Sequence, residues 1–200
     1  MRFIYMYMNW RHGSRKILVS FALMCMCTVS LLYAGESEKP ASSQEAKLLW
    51  KKGYYLHTIG KYEKAIKLFS KSIDLYPTAE AYTFRGWSFS ELGRIEEAIA
   101  ECKMAIELDP EYGNPYNDIG VYLIDLGRPE EAISWLKKAI EAKRYCCYQY
   151  PYFNLGRVLL MQGRVSDAKQ SLTRSLSYDP DYLPARMLLE FIRDKGLELI

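Results

Sequence analysis

An all-α fold, a solenoid of four stacked helical hairpins finished by one further helix, is what the sequence predicts. Three registers carry the prediction. Gly53, Gly86, Gly120 and Gly156 recur at intervals of 33, 34 and 36 residues. Gly60, Gly93, Gly127 and Gly163 repeat those intervals, seven residues later each time. Ala65, Ala98, Ala132 and Ala168 keep the same step again. Self-similarity with a period of roughly 20–50 residues is the mark of a repeat array. Pro77, Pro110 and Pro180 close three of the units, and Arg144 stands at that place in the third.

Residues 1–34 stand apart from the repeats. They hold Arg2, Arg11, Arg15 and Lys16, no acidic residue, and an uncharged run from Ile17 to Ala34. A basic stretch before an uncharged apolar run is the pattern of an export signal or an N-terminal anchor. The run exceeds a signal core of roughly 7–15 residues and approaches the ~20 that span a bilayer. Cleavage after Ala34 and retention as an anchor are both open. The first makes the rest periplasmic or secreted. The second holds it at the inner membrane, outside the cytoplasm. Residues 35–44 read as a polar linker.

The repeat domain then covers 45–200, with units at about 46–78, 79–112, 113–148 and 149–182. Each unit reads as two helices. In the second unit, residues 79–92 form the first helix and Gly93 stops it, because glycine takes the left-handed backbone cheaply. Ile95, Ala98, Ile99, Cys102, Ala105 and Ile106 then share one face of residues 95–108. Asp109-Pro110 ends that helix, since proline disfavours helix at the residue before it. Mid-helix glycines such as Gly120 cost about 1 kcal/mol each against alanine. Four of them imply close approach to the small residues of the Ala65 series. One hairpin cannot bury its apolar face alone, so the units stack. The third junction, 142–151, carries two extra residues and lacks the Asp-Pro turn, which predicts a longer loop. Its Cys146-Cys147 pair admits a redox or metal element as a further alternative. Residues 183–195 read as a capping helix over the last apolar face.

These positions resemble the tetratricopeptide repeat, whose signature sets a large residue, glycine, an aromatic, alanine, a second large residue and proline at fixed steps. Unit one supplies Leu49, Gly53, Leu56, Ala65, Phe69 and Pro77. Unit two supplies Tyr82, Gly86, Phe89, Ala98, Cys102 and Pro110. Unit three supplies Tyr116, Gly120, Leu123, Ala132 and Leu136, and unit four Tyr152, Gly156, Leu159, Ala168, Leu172 and Pro180. Lys52 and Arg85 replace apolar residues of the pattern.

The resemblance implies that the first helices line a concave groove that holds another polypeptide. Carried onto this chain, the groove is lined by Trp50, Tyr54, His57, Trp87, Asn117, Val121, Phe153 and Arg157. That lining is aromatic and mixed rather than strongly charged, which suits an extended or helical segment with apolar anchors. One subset of the family grips a C-terminal carboxylate with cationic side chains. The matching positions here are Trp50, Tyr54, Phe84, Asn114 and Asp118, and they hold no cation. The implied function is a non-catalytic, exported scaffold or assembly factor. The alternative is a membrane-anchored regulator of an envelope complex.

No catalytic site, metal site or cofactor is expected. The two histidines are His12, in the leader, and His57. Acidic pairs such as Glu96-Glu97 and Glu130-Glu131 fall in first turns, where they complement the helix dipole. The chain has 27 basic and 24 acidic residues, and four of the basic ones lie in the leader. The remainder is nearly neutral, so a nucleic-acid partner is not expected. Membrane contact is expected only through residues 17–34.

Overall fold

The computed structural model describes residues 41–196. The readings of 1–34 as signal or anchor, and of 35–40 as linker, lie outside the described residues. Four hairpins follow in order, all helical. They are α1 (Ala41–Thr58) with α2 (Tyr62–Leu75), and α3 (Ala79–Glu91) with α4 (Ile95–Leu108). Then come α5 (Asn114–Asp125) with α6 (Pro129–Glu141), α7 (Gln149–Met161) with α8 (Val165–Tyr178), and the lone α9 (Leu183–Asp194). The chain from Ala41 onward is one compact unit with its own core.

The linker ends sooner than expected, because residues 41–44 already belong to α1. The Ser72 hydroxyl of α2 donates to the Ala46 carbonyl at 2.8 Å, tying the start of α1 to its partner helix.

The first helices stop where the glycine series predicts. Gly60, Gly93, Gly127 and Gly163 have φ between 71° and 74°. At each turn the glycine N–H and the next N–H donate back to carbonyls of the finished helix, as Gly93 does to Ser90 at 2.9 Å and Arg94 to Phe89 at 2.9 Å. The following residue in three units is an arginine that pairs with the acid three positions on. Arg128 donates to Glu131 at 2.6 and 2.7 Å, Arg164 to Asp167, and Arg94 to Glu97. The first-turn acids therefore answer an arginine as well as the helix dipole.

The mid-helix glycines lie against the partner helix, but three of the four meet its large side chains first rather than the Ala65 series. A Cβ on Gly120 would stand 2.6 Å from Leu136 Cδ2, and one on Gly156 2.8 Å from Leu172 Cγ. The partners Phe69, Cys102, Leu136 and Leu172 are fully buried at the equivalent place in each second helix. Neighbouring hairpins pack second helix on first helix, and the first helices also touch one another. That arrangement puts the first helices on the inner side of the stack. The central core joins Phe89, Cys102, Ile119, Leu123, Leu136 and Leu155 across three units.

Two departures from the repeat pattern gain a physical account. Arg85 forms a two-pronged pair with Glu101, at 2.8 and 2.9 Å, and donates to the Ser70 hydroxyl at 2.9 Å. It thus bridges α2 and α4 from the first helix between them. Arg144, in place of the closing proline, ties the long third junction back to unit two. Its guanidinium reaches Glu80 at 2.7 Å and Asp109, and lies 4.1 Å from the Tyr112 ring centre. Its backbone exchanges hydrogen bonds with Glu111 and Gly113, at 2.9 and 3.1 Å. Tyr145 is buried against Gly113, where a Cβ would meet its ring at 2.6 Å. The junction is an ordered strap, not a slack insertion.

The capping helix is present, with one correction. Ala185 and Ile192 of α9 are buried with Leu172. The opposite face carries Leu183, Met187 and Phe191, all exposed. A terminal cap normally turns a polar face outward, and this one does not.

Candidate functional site

All eight expected groove residues sit on first helices: three on α1, one on α3, two on α5 and two on α7. The structure joins the first four into one aromatic cluster. Trp50 and Tyr54, one turn apart, stack with centroids 5.8 Å apart. Phe84 stands edge-on to both, at 5.3 and 5.2 Å, and edge-on to Trp87 at 4.6 Å. His57 lies 6.1 Å from the Trp87 ring, and its Nδ1 is 3.1 Å from the Ser88 hydroxyl. Phe84 is the hub of this cluster and rests on the core ring of Phe69 at 6.2 Å. In the sequence Phe84 stands out only as a place where a clamp cation is missing. Its signal was its position three residues before Trp87, on the same helix face.

From the cluster a chain of polar side chains runs through the next two units. The Trp87 indole N–H donates to one Asp118 oxygen, and the Asn117 amide to the other at 3.4 Å. Asn154 donates to the Asn117 oxygen at 3.0 Å, and Arg157 to the Asn154 oxygen at 3.2 Å. Arg157 also lies 5.7 Å from the Phe153 ring, whose edge meets Tyr182. Asn117 is therefore not an open groove residue. It is buried, with its amide spent on Asp118 and its oxygen on Asn154.

Asp118 changes the electrostatic character of the face. Burial pushes its carboxyl up to about 7, against the opposing pull of the Trp87 and Asn117 hydrogen bonds. It makes no ion pair among the described residues. Beside it opens a cavity of about 420 Å³ whose walls include His57, Trp87, Glu91, Asp118, Tyr122 and Asp125. Partial burial lowers the His57 pKa further than Glu91 raises it, so its imidazole is neutral at neutral pH. Val121 also lines the cavity. The expected lining was mixed and weakly charged; the observed one has aromatic sides and an acidic floor. Such a cavity accommodates a cationic side chain by ring-face attraction and ion pairing.

The cysteines offer less. Cys102 is buried as a core residue, and Cys146 and Cys147 are free thiols. Partial burial, then the neighbouring Cys146, push the Cys147 thiol up to about 11, away from the reactive thiolate. No cluster of three metal-ligating side chains occurs among the described residues. No helix among them is long and apolar enough to cross a membrane.

Comparison with known proteins agrees with this architecture. Family models described as tetratricopeptide repeat match residues 46–78, 79–112, 114–146 and 150–182. The rat (Rattus norvegicus) mitochondrial import receptor subunit TOM70 is 34% identical over 85 residues, 40% of this chain. The chain covers only 14% of that relative's length. Among solved structures, Pseudomonas aeruginosa pilF aligns with TM-score 0.69 at 22% identity, covering 78% of this chain and 72% of that one. The first TPR of Spaghetti (RPAP3), bound to the HSP90 peptide SRMEEVD, aligns with TM-score 0.56 at 25% identity. That match covers 60% of this chain and 97% of the other.

Proposed function

Since the chain belongs to the tetratricopeptide repeat family, we propose that it is a non-catalytic docking scaffold whose inner face holds a segment of another polypeptide. The observation that carries this is the juxtaposition of two features on adjacent units. The aromatic cluster of Trp50, Tyr54, Phe84 and Trp87 offers apolar contact, with Tyr54 openly exposed. The cavity beside Asp118 offers negative charge from Glu91 and Asp125, with Asp118 itself about half protonated at neutral pH. Aromatic anchors of this kind dominate interface energetics, at roughly 2 kcal/mol or more each. The segment that fits is extended or helical, with apolar anchors and a lysine or arginine between them.

The first TPR of Spaghetti is bound to SRMEEVD, a peptide with three acidic side chains and one basic one. Here Asp118, Glu91 and Asp125 line the cavity, so an acidic tail meets like charge. The scaffold is exported and acts outside the cytoplasm, a reading supported by the basic and then uncharged leader of residues 1–34. Release after Ala34 gives a soluble assembly factor. Retention of residues 17–34 gives a tethered regulator of an envelope complex. The intact mass of the mature protein separates the two.

A displayed peptide library panned on the folded protein tests the groove. Enrichment of peptides with a basic residue flanked by apolar ones is expected. Phe84→Ala and Trp87→Ala together should weaken the best peptide about thirtyfold or more. Enrichment of acidic peptides, or affinity unchanged in the double variant, would overturn the proposal.

A further inference from the structure

The first hairpin differs in charge from the rest of the array. Its exposed faces carry Lys47, Lys51 and Lys52 on α1 and Lys64, Lys67 and Lys71 on α2. Glu45, Glu63 and Asp74 are the acidic residues of the hairpin. None of those six lysines pairs with a carboxylate among the described residues. From Ala79 to Gly196 the balance reverses, and acidic residues outnumber basic ones. The arginines of these later units are largely spent on carboxylates, as at Arg85, Arg94, Arg128, Arg144 and Arg164.

The same hairpin exposes apolar side chains where the other first helices pack on a preceding unit. Leu48 and Tyr55 of α1, and Ile59 just past its end, are 52%, 63% and 43% exposed. Their spacing of seven and four residues sets them in one stripe, on the side of α1 away from buried Ala46 and Gly53. Lys51 and Lys52 flank that stripe on its two sides. An apolar stripe edged by lysines is the makeup of a helix that lies in a membrane interface. The apolar side chains enter the acyl boundary, and the lysine stems lie along it with their ammonium groups at the phosphates.

We propose that the first hairpin docks on an anionic phospholipid surface through Leu48, Tyr55 and Ile59, with the lysines of α1 and α2 meeting lipid phosphates. Charge complementarity selects this occupant: unpaired lysines attract an anionic leaflet, and the acidic remainder of the array is repelled by it. The site is distinct from the groove, since it uses the outward side of α1 and does not involve Trp87 or Asp118. Docking there is independent of what the groove binds. Docking would hold the groove at a fixed height above a membrane whether or not residues 17–34 are retained.

Sedimentation with vesicles tests it, using residues 41–200 so that the apolar leader plays no part. Vesicles are phosphatidylcholine alone, or with roughly one third phosphatidylglycerol. Binding is expected to the anionic vesicles, weakened by salt, and absent from the neutral ones. Lys51→Glu with Lys52→Glu should lower the partition coefficient about tenfold or more, from roughly fivefold per lysine near such a surface. Leu48→Ser with Tyr55→Ser should reduce it with all charges kept, and circular dichroism should show both variants folded. Binding that both folded variants retain, no binding to anionic vesicles, or equal binding to neutral ones would overturn the proposal. So would comparable binding of single-stranded polyuridylate that the Leu48/Tyr55 variant retains, which marks a general polyanion surface.

Discussion

Two side chains show how much a single residue decides here. At Gly120 a Cβ would meet Leu136 at 2.6 Å, well inside contact distance, and Leu136 is fully buried. Gly120→Ala gains helix propensity worth about 1 kcal/mol but overpacks a closed interface, at about 1–3 kcal/mol. A net loss of up to about 2 kcal/mol in denaturant melts is expected. A net gain would mean the interface makes room for the methyl at no cost. Asp118 behaves differently because its carboxyl is raised to about 7 in the folded protein, above an unfolded value near 3.9. The folded state holds that proton longer. The residue's contribution is fully present below about pH 4 and fades as pH rises through about 7. Asp118→Asn should flatten this dependence and raise stability at about pH 8 by an amount on the order of 1–4 kcal/mol. Melts of both proteins at acidic and alkaline pH give the difference, and equal pH slopes would refute it.

Elements repeat in this chain, and what repeats is what the sequence discloses. The glycines at 60, 93, 127 and 163 mark four helix ends because each needs a left-handed backbone. Gly120 and Gly156 mark close approaches because only a hydrogen fits against Leu136 and Leu172. Contacts that occur once leave no such trace. The Arg144 strap uses Glu80 and Asp109 from another unit, 64 and 35 residues away, and the other units carry proline at the place of Arg144, so nothing repeats the contact. The same holds for Asp118, whose partner Trp87 lies one unit back. The aromatic hub at Phe84 and the acidic cavity at Asp118 were therefore hidden, whereas the placement of the eight named residues on first helices was legible. Arg144→Ala removes two partly exposed ion pairs and a ring contact, so only about 1 kcal/mol of stability is expected to go. The local effect is larger: the Gly113 amide, which donates to the Arg144 carbonyl at 3.1 Å, should exchange its hydrogen at least several-fold faster by mass spectrometry. Unchanged exchange would mean the backbone bonds alone hold the strap.

Across the molecule, stability passes only between neighbouring units, as in any stack of repeats. The central core joins units two, three and four, while α9 covers Leu172 at one end. Truncation before Leu183 uncovers that end. Amide protection is expected to fall most in α8, less in α6 and least in α2. A uniform fall would show that the array unfolds as a single block. The sequence presents α9 as a lid, but its outward Leu183, Met187 and Phe191 are not those of a lid.

Gly196, just past α9, has φ 62°, and its N–H donates to the Arg193 carbonyl at 3.0 Å, the bond made by the glycine after every first helix. By this measure α9 is the opening half of a hairpin. Its apolar outer side is then open, and a helix grafted after Gly196 would find its turn already built, though Leu189 stands where the other hairpins keep the glycine that lets a second helix close in. An engineer who lengthens the array at this end inherits the turn but must make Leu189 small to seat the added helix.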